Sequence, residues 1–444
     1  MNKNTKRFTL LETDFYQIAM SYVFIMENKA NDITGYEGFI RNIKSQINPN
    51  ENFYYFRGHG DVVKYIEKIK SELQDPEFIN SFISLIENKI DSKFIPDFIE
   101  KFNTLDIEFE YNVVNDNSVV FPYIPVFQFK GPRWIGQLIE TAVTNIYNGQ
   151  TGYQTLLNMK RKEISYISNI DLDYISSIVY GVGGEYYSRY TQDLETRAAE
   201  FREVDTDGIL LEAGFRRAPS KEAALIASNI ALRNMWNGTS NTTVEDKSKV
   251  GGTMAHAFVM SYKSELESFI AWNKYFPNST ILIDTYDTLN AVDILIDNNI
   301  KPMDVRIDSG DFFEITNQVR QKLDDNGWED VGIFLSGDIS PEMIYKLKAN
   351  NVKYTKLMAG TYYVYCNEII KKVNSGFVYK IVEYRDENNT IIYPEKKSVG
   401  KKNYTGLKII TKIGDNKYEV TKKNGEMEIS SINSFNENTE IIFN

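Results

Sequence analysis

Residues 303–338 read MDVRIDSGDFFEITNQVRQKLDDNGWEDVGIFLSGD. The apolar run MDVRID (303–308) predicts a strand. FEITNQVRQKLDDN predicts an amphipathic helix, which Gly327 stops, and GIFLSG (332–337) predicts a second strand. This is a βα unit, and the pattern continues on both sides. GILLEAG (208–214), a short strand near NGTSN, GTMAHAF (252–258), TILID (280–284) and TKLMAG (355–360) alternate with helical segments. Ser220 is placed to cap the helix that carries Ala224, Ala227, Ile230 and Ala231. Six or seven such units in succession predict a parallel sheet, as a barrel or a doubly wound layer.

Before these units the chain is mixed. It predicts a helix over about 14–28, a strand in ITGYEGFIR, helices from Asp61 to about Asn103, strands in DIEFEYN and SVVFPYIPVFQF, and a helix from about Ile135. After 366 it is lysine-rich and mostly β. The expected division is an N-terminal α/β domain (1–150), a βα barrel (151–365) and a β-rich segment (366–444). With 444 residues, 42% apolar and 25% charged, there is ample material for large cores. The net charge of −11 argues against general affinity for nucleic acid or anionic membrane. Cys366 is the only cysteine, which excludes internal disulfides and thiolate metal clusters. The N-terminus shows no signal-peptide apolar segment, and no apolar run reaches the ~18 residues of a membrane span. A soluble cytoplasmic protein is expected.

The chemistry gathers at the strand ends. GILLEAG runs into Arg216 and Arg217, and the next end carries Ser240. Thr253 and His256 follow, then Asp284 with Asp287. After these come Arg306 with Asp308, Ser309, Gly310 and Asp311, then Gly337 and Asp338, then Gly360 and Thr361. In a parallel βα barrel these ends share one face, where active sites are built. Singly, each has a bland reading: an Asp or Ser there is often the next helix's cap, and SGD or AGT a turn. As a series they point to a site. Glycine admits an oxyanion to backbone N–H groups, so Gly337 and Gly360 predict a phosphorylated substrate. The arginines suit a carboxylate or pyrophosphate. The aspartates suit Mg²⁺ with a phosphate ligand, or ribose hydroxyls. His256 is one of two histidines and has no nearby His or Cys. It reads as a proton carrier or nucleophile rather than a zinc ligand.

Taken together, TDFYQ (13–17), GYEGFIR (35–41), GPRWIGQLIETAVTNI, AGFRRAPS (213–220), GTSN, GGTMAHAF, DTYDT, VRIDSGD, SGD and AGT resemble the nicotinate phosphoribosyltransferase family, in its order and over most of 10–410. The resemblance implies the irregular βα barrel of type II phosphoribosyltransferases, with an α/β domain built from the N-terminal part and the returning C-terminal segment. It implies transfer of phosphoribosyl from phosphoribosyl pyrophosphate to nicotinate in NAD salvage, coupled to ATP through a phosphorylated His256. Tyr16 would stack on the pyridine ring, with Arg216, Ser240, Thr253 and Arg306 around it. Asp284, Asp308, Ser309, Gly310, Gly337, Asp338, Gly360 and Thr361 would hold the ribose-phosphate end, with Mg²⁺ at Asp284 and Asp308. Arg41 would meet pyrophosphate. The resemblance also implies a homodimer with shared active sites, Tyr16 reaching the partner's barrel; the apolar surface of the helix behind Tyr16 fits that expectation.

The chain departs from the family pattern at the C-terminal lysine motifs, which appear as Lys396–Lys401 and Thr405-Gly406-Leu407-Lys408. Nicotinamide phosphoribosyltransferase is the nearest alternative, but that family carries an aspartate where this chain has Ser240. Quinolinate phosphoribosyltransferase would need a more basic pocket and usually has a shorter chain. A non-catalytic barrel would have no reason to keep His256, Arg306 and Asp308.

Overall fold

A computed structural model describes residues 8–41, 52–162, 170–181, 184–206, 208–395, 405–422 and 425–443. Of the C-terminal lysine motifs, Lys396–Lys401 lie outside the described residues.

The βα units form one parallel sheet of six strands. Its order is Gly238–Thr239, Ile209–Glu212, Lys356–Ala359, Gly332–Ser336, Asp304–Ile307, Thr280–Leu282. The sheet curls, and its two edge strands are bridged by a segment the sequence predicted as a strand. Val250 pairs with Thr239, the Gly251 N–H donates to the Thr239 carbonyl, and the Thr253 hydroxyl donates to the Thr280 carbonyl. Residues 251–255 are extended but form no ladder, and His256 begins a short helix, His256–Val259. Helices cover the outside; Ser220 caps Lys221–Arg233 through the Ala223 N–H, 3.1 Å away.

A second sheet is antiparallel, in the order Ile391–Ile392, Phe377–Arg385, Ile33–Ile40, Pro125–Pro132, Glu110–Val113. Its second strand comes from beyond the barrel, so the C-terminal segment is built into the sheet of the first third. The helix Glu140–Arg161 runs through position 150 and is buried along most of its length.

The helix Phe15–Met26 corrects one expectation. Every residue in it except Tyr16 is buried within the chain itself, against the helices Arg133–Leu138, Ile95–Phe102, Glu77–Ile86 and Glu265–Tyr275. Its apolar surface needs no partner subunit. Among the described residues, no helix is long and apolar enough to cross a membrane.

Candidate active site

The helix start at His256 puts its ring beside the next strand end. Nδ1 lies 3.1 Å from the Thr285 hydroxyl, which fixes the ring, and Nε2 turns to two carboxylates. Asp284 Oδ1 is 3.8 Å from Nε2 and Asp308 Oδ2 is 3.7 Å. Asp308 also accepts from Ser336, at 2.6 Å, and lies 3.8 Å from Arg306. Burial works to raise its pKa, but His256, Arg306 and Ser336 outweigh burial and hold the carboxyl well below its usual range. Arg306 is buried and donates to the Met254 carbonyl at 2.8 Å. Its Nε has no hydrogen-bond partner among the described residues. Ser309 donates to Asp284. Asp287 and Asp311 take the bland reading: each caps the following helix.

A second group meets beyond the end of the strand Ile209–Glu212, on the other side of Lys356–Ala359 in the sheet. Arg216 Nη1 donates to the Tyr16 hydroxyl at 2.7 Å and lies 3.9 Å from Asp14. Burial lowers the Arg216 pKa, but Tyr16, Asp14, Glu140 and Asp308 override it and the net shift is upward. Asp308 thus links this group electrically to the His256 group. The approach is close. A Cβ on Gly252 would stand 2.9 Å from the Tyr16 nitrogen, which is why glycine precedes Thr253.

Three sequence expectations change here. Tyr16 meets Arg216 of its own chain, because its helix docks on its own barrel, so this pair does not need a partner's barrel. The Ser240 hydroxyl donates its hydrogen to Asp14 and offers a ligand only lone pairs. The Thr253 hydroxyl is engaged by the Thr280 carbonyl and does not join the Tyr16–Arg216 group.

At the phosphate end, Gly310 (φ +100) has open space where a Cβ would be, whereas Gly337 (φ +93) and Gly360 do not. A Cβ on Gly337 would stand 2.4 Å from the Asp308 carbonyl, and one on Gly360 2.8 Å from the Ala213 carbonyl. Both glycines therefore let adjacent strand ends pack. Asp338, at φ +51, is exposed, and Thr361 opens a short helix after Gly360.

Arg41 belongs to a basic group that the sequence showed only in part. Its N–H donates to the Gly376 carbonyl, and Arg217 donates to the Phe377 carbonyl at 2.7 Å. Lys380 is the one exposed position in the interior of Phe377–Arg385. Crowding by the surrounding protein, then the like charges of Arg41, Arg217 and Arg216, lower the pKa of its ammonium against the pull of Glu140. Arg217 is likewise lowered to about 10, by burial and then by Arg216 and Arg41. Mutually repelling cations of this kind make an anion site. A lysine inside FVYKIVEYR was the available signal for Lys380. By contrast, Lys408 is buried against Glu37 and does not join this group.

Residues 11–148 match the nicotinate phosphoribosyltransferase N-terminal domain family model. The chain is 27% identical over 391 residues to nicotinate phosphoribosyltransferase of Bacillus subtilis, covering 86% of this chain and 68% of that one. With the enzyme of the same name (pncB2) from Mycobacterium tuberculosis it shares 26% identity over 406 residues, covering 88% and 75%. The chain is a relative of the nicotinate phosphoribosyltransferases. Its fold agrees. The crystal structure of nicotinate phosphoribosyltransferase from Porphyromonas gingivalis superposes with a TM-score of 0.58 at 14% identity, covering 88% of this chain and 95% of that one. That from Vibrio cholerae gives 0.57 at 15% identity, covering 85% and 86%. The expected irregular βα barrel, present as a curled six-stranded parallel sheet with an added α/β layer, is therefore the fold of these relatives.

Proposed function

We propose that this chain is a nicotinate phosphoribosyltransferase of NAD salvage. The pyridine nitrogen of nicotinate forms a bond to the anomeric carbon of phosphoribosyl pyrophosphate. The carbon–oxygen bond breaks, and its electron pair leaves with pyrophosphate. The observation that carries the reading is the pairing of Tyr16 with Arg216 within electrical reach of the Arg306–Asp308–His256–Asp284 group, in a chain related to this family along most of its length. Tyr16 offers a flat face to the ring, and Arg216 and Arg306 offer charge to its carboxylate. Arg41, Arg217 and Lys380 supply the charge that a leaving pyrophosphate needs.

The reading includes ATP. His256 takes the terminal phosphoryl group on Nε2: the nitrogen–phosphorus bond forms, the phosphorus–oxygen bond breaks and ADP leaves. The Thr285 contact at Nδ1 supports this, since it turns Nε2 to the site. Two carboxylates on adjacent strand ends fit Mg²⁺, which takes most of its remaining ligands from phosphate and water. Bound between Asp284 and Asp308, it would neutralise charge on phosphate oxygens. Among the described residues no group of three or more His, Cys, Asp or Glu side chains makes a metal cage, so phosphate is an expected part of such a site. The family resemblance supports a homodimer; a solution mass matching the 51.3 kDa chain would remove that part of the proposal.

Pyrophosphate release from phosphoribosyl pyrophosphate, measured with nicotinate, nicotinamide and quinolinate, tests the reaction. Nicotinate should be used best, and ATP should stimulate it. His256→Ala should remain folded, lose ATP hydrolysis and lose the stimulation. Release with none of the three bases removes the enzymatic reading. Stimulation that survives in His256→Ala removes the phosphohistidine.

A further inference from the structure

Asp14 stands at the N-cap position of the helix Phe15–Met26, where an aspartate ordinarily accepts a first-turn N–H. It makes no such bond. Instead residues 13–15 lie antiparallel to 240–242, with Asp14 paired to Asn241 and the Phe15 N–H donating to the Ser240 carbonyl. That pairing turns the Asp14 carboxylate toward the barrel. One oxygen accepts the Ser240 hydroxyl at 2.5 Å and the other the Thr141 hydroxyl at 2.8 Å, and Arg216 stands 3.9 Å away. Asp14 is 0% exposed, whereas the Arg216 side chain is 28% exposed. The arginine can therefore meet a ligand, and the aspartate cannot. Burial raises the Asp14 pKa, opposed by Arg216, Ser240 and Thr141. Glu140 is a second carboxylate near Arg216, with the weaker influence of the two.

We infer that Asp14 is a specificity-determining positioning residue: a buried counter-charge that offsets part of Arg216 and sets how strongly the pocket prefers an anionic base to its neutral amide. The inference rests on the reading of Tyr16 and Arg216 as the base pocket. A fixed negative charge behind the arginine repels a carboxylate bound in front of it and leaves a neutral amide nearly unaffected. Arg216 and Arg306 must prevail over that repulsion for nicotinate to be chosen.

The test is kcat/KM for nicotinate and for nicotinamide, with saturating phosphoribosyl pyrophosphate, in the unmutated protein and in Asp14→Asn. The substitution removes the charge at nearly constant shape. The nicotinate-to-nicotinamide ratio should rise about tenfold, through the nicotinate value. A role confined to structure would lower both values together, and an unchanged ratio overturns the inference. If Asp14→Asn does not fold, Thr141→Val takes its place. Stripping one hydroxyl donor from the carboxylate favours its neutral form, and the ratio should move in the same direction by about twofold. No movement there also overturns the inference. Failure of the unmutated protein to use either base would instead sink the base-pocket reading itself.

Discussion

Ser240 lies 2.5 Å from Asp14, and both residues are buried. Ser240→Asp would set two carboxylates against each other there. One of them would have to keep a proton at neutral pH, since like charges this close do not both ionise. The variant should lose about 3–5 kcal/mol of stability at pH 7, in the range of an uncompensated buried charge. The sign with pH follows from the direction of the shift. A carboxylate raised in the folded state destabilises at pH values above its unfolded pKa, and the penalty fades as pH falls toward it. Thermal unfolding from pH 7 to pH 5 should therefore show the gap between Ser240→Asp and the unmutated protein narrowing. A gap that is constant or widens would mean the new carboxylate escapes to solvent. Part of this was legible: GTSN marked Ser240 as a pocket residue. Its partner was not, because a contact 226 residues away in sequence leaves no local pattern.

At the scale of the element, the strand ends were readable because βα periodicity fixes where each strand stops, and the stops carried Arg, Asp and Gly. What the glycines do was less readable. Gly310 and Gly360 both precede helices, yet one has open space in the Cβ direction and the other the Ala213 carbonyl. Gly310→Ala meets only backbone strain, at φ +100, of about 1–3 kcal/mol. It should raise KM for phosphoribosyl pyrophosphate and leave that for nicotinate alone. Gly360→Ala must push on the turn that leads from Ala213 to Arg216, so KM for nicotinate should rise as well. Steady-state kinetics on the two variants decide this. A Gly360→Ala protein altered only toward phosphoribosyl pyrophosphate would show that the close packing there carries no weight. The segment 251–255 misled for a related reason. Its small and apolar residues fit a strand, but it bridges two edges of a curled sheet and has no ladder to join.

For the whole molecule, the parallel sheet was legible from periodicity, whereas the return of the C-terminal segment to the first sheet was legible only through the resemblance and not from the residues themselves. Local sequence cannot say that Phe377–Arg385 inserts beside Ile33–Ile40, because antiparallel pairing of distant strands depends on which faces are buried together. One ion pair ties this return in place. Lys408 and Glu37 are 371 residues apart, and their side chains are 5% and 1% exposed. The Lys408 N–H and Gln128 also donate to Glu37, each at 2.8 Å. Lys408 falls in the C-terminal lysine motif, where the chain departs from the family pattern, and a buried ammonium already paired with a carboxylate has little left for a ligand. Lys408→Met should therefore act on stability. It leaves Glu37 buried without its counter-charge, which costs about 3–5 kcal/mol. Glu37→Gln added to Lys408→Met removes the stranded charge and should recover much of that loss, giving a strongly non-additive double-mutant cycle in thermal unfolding. KM for phosphoribosyl pyrophosphate should stay near its original value in the double variant, because neither residue faces the substrate. A large rise in that KM with stability unchanged would place Lys408 in the phosphate site and the ion pair outside the working molecule.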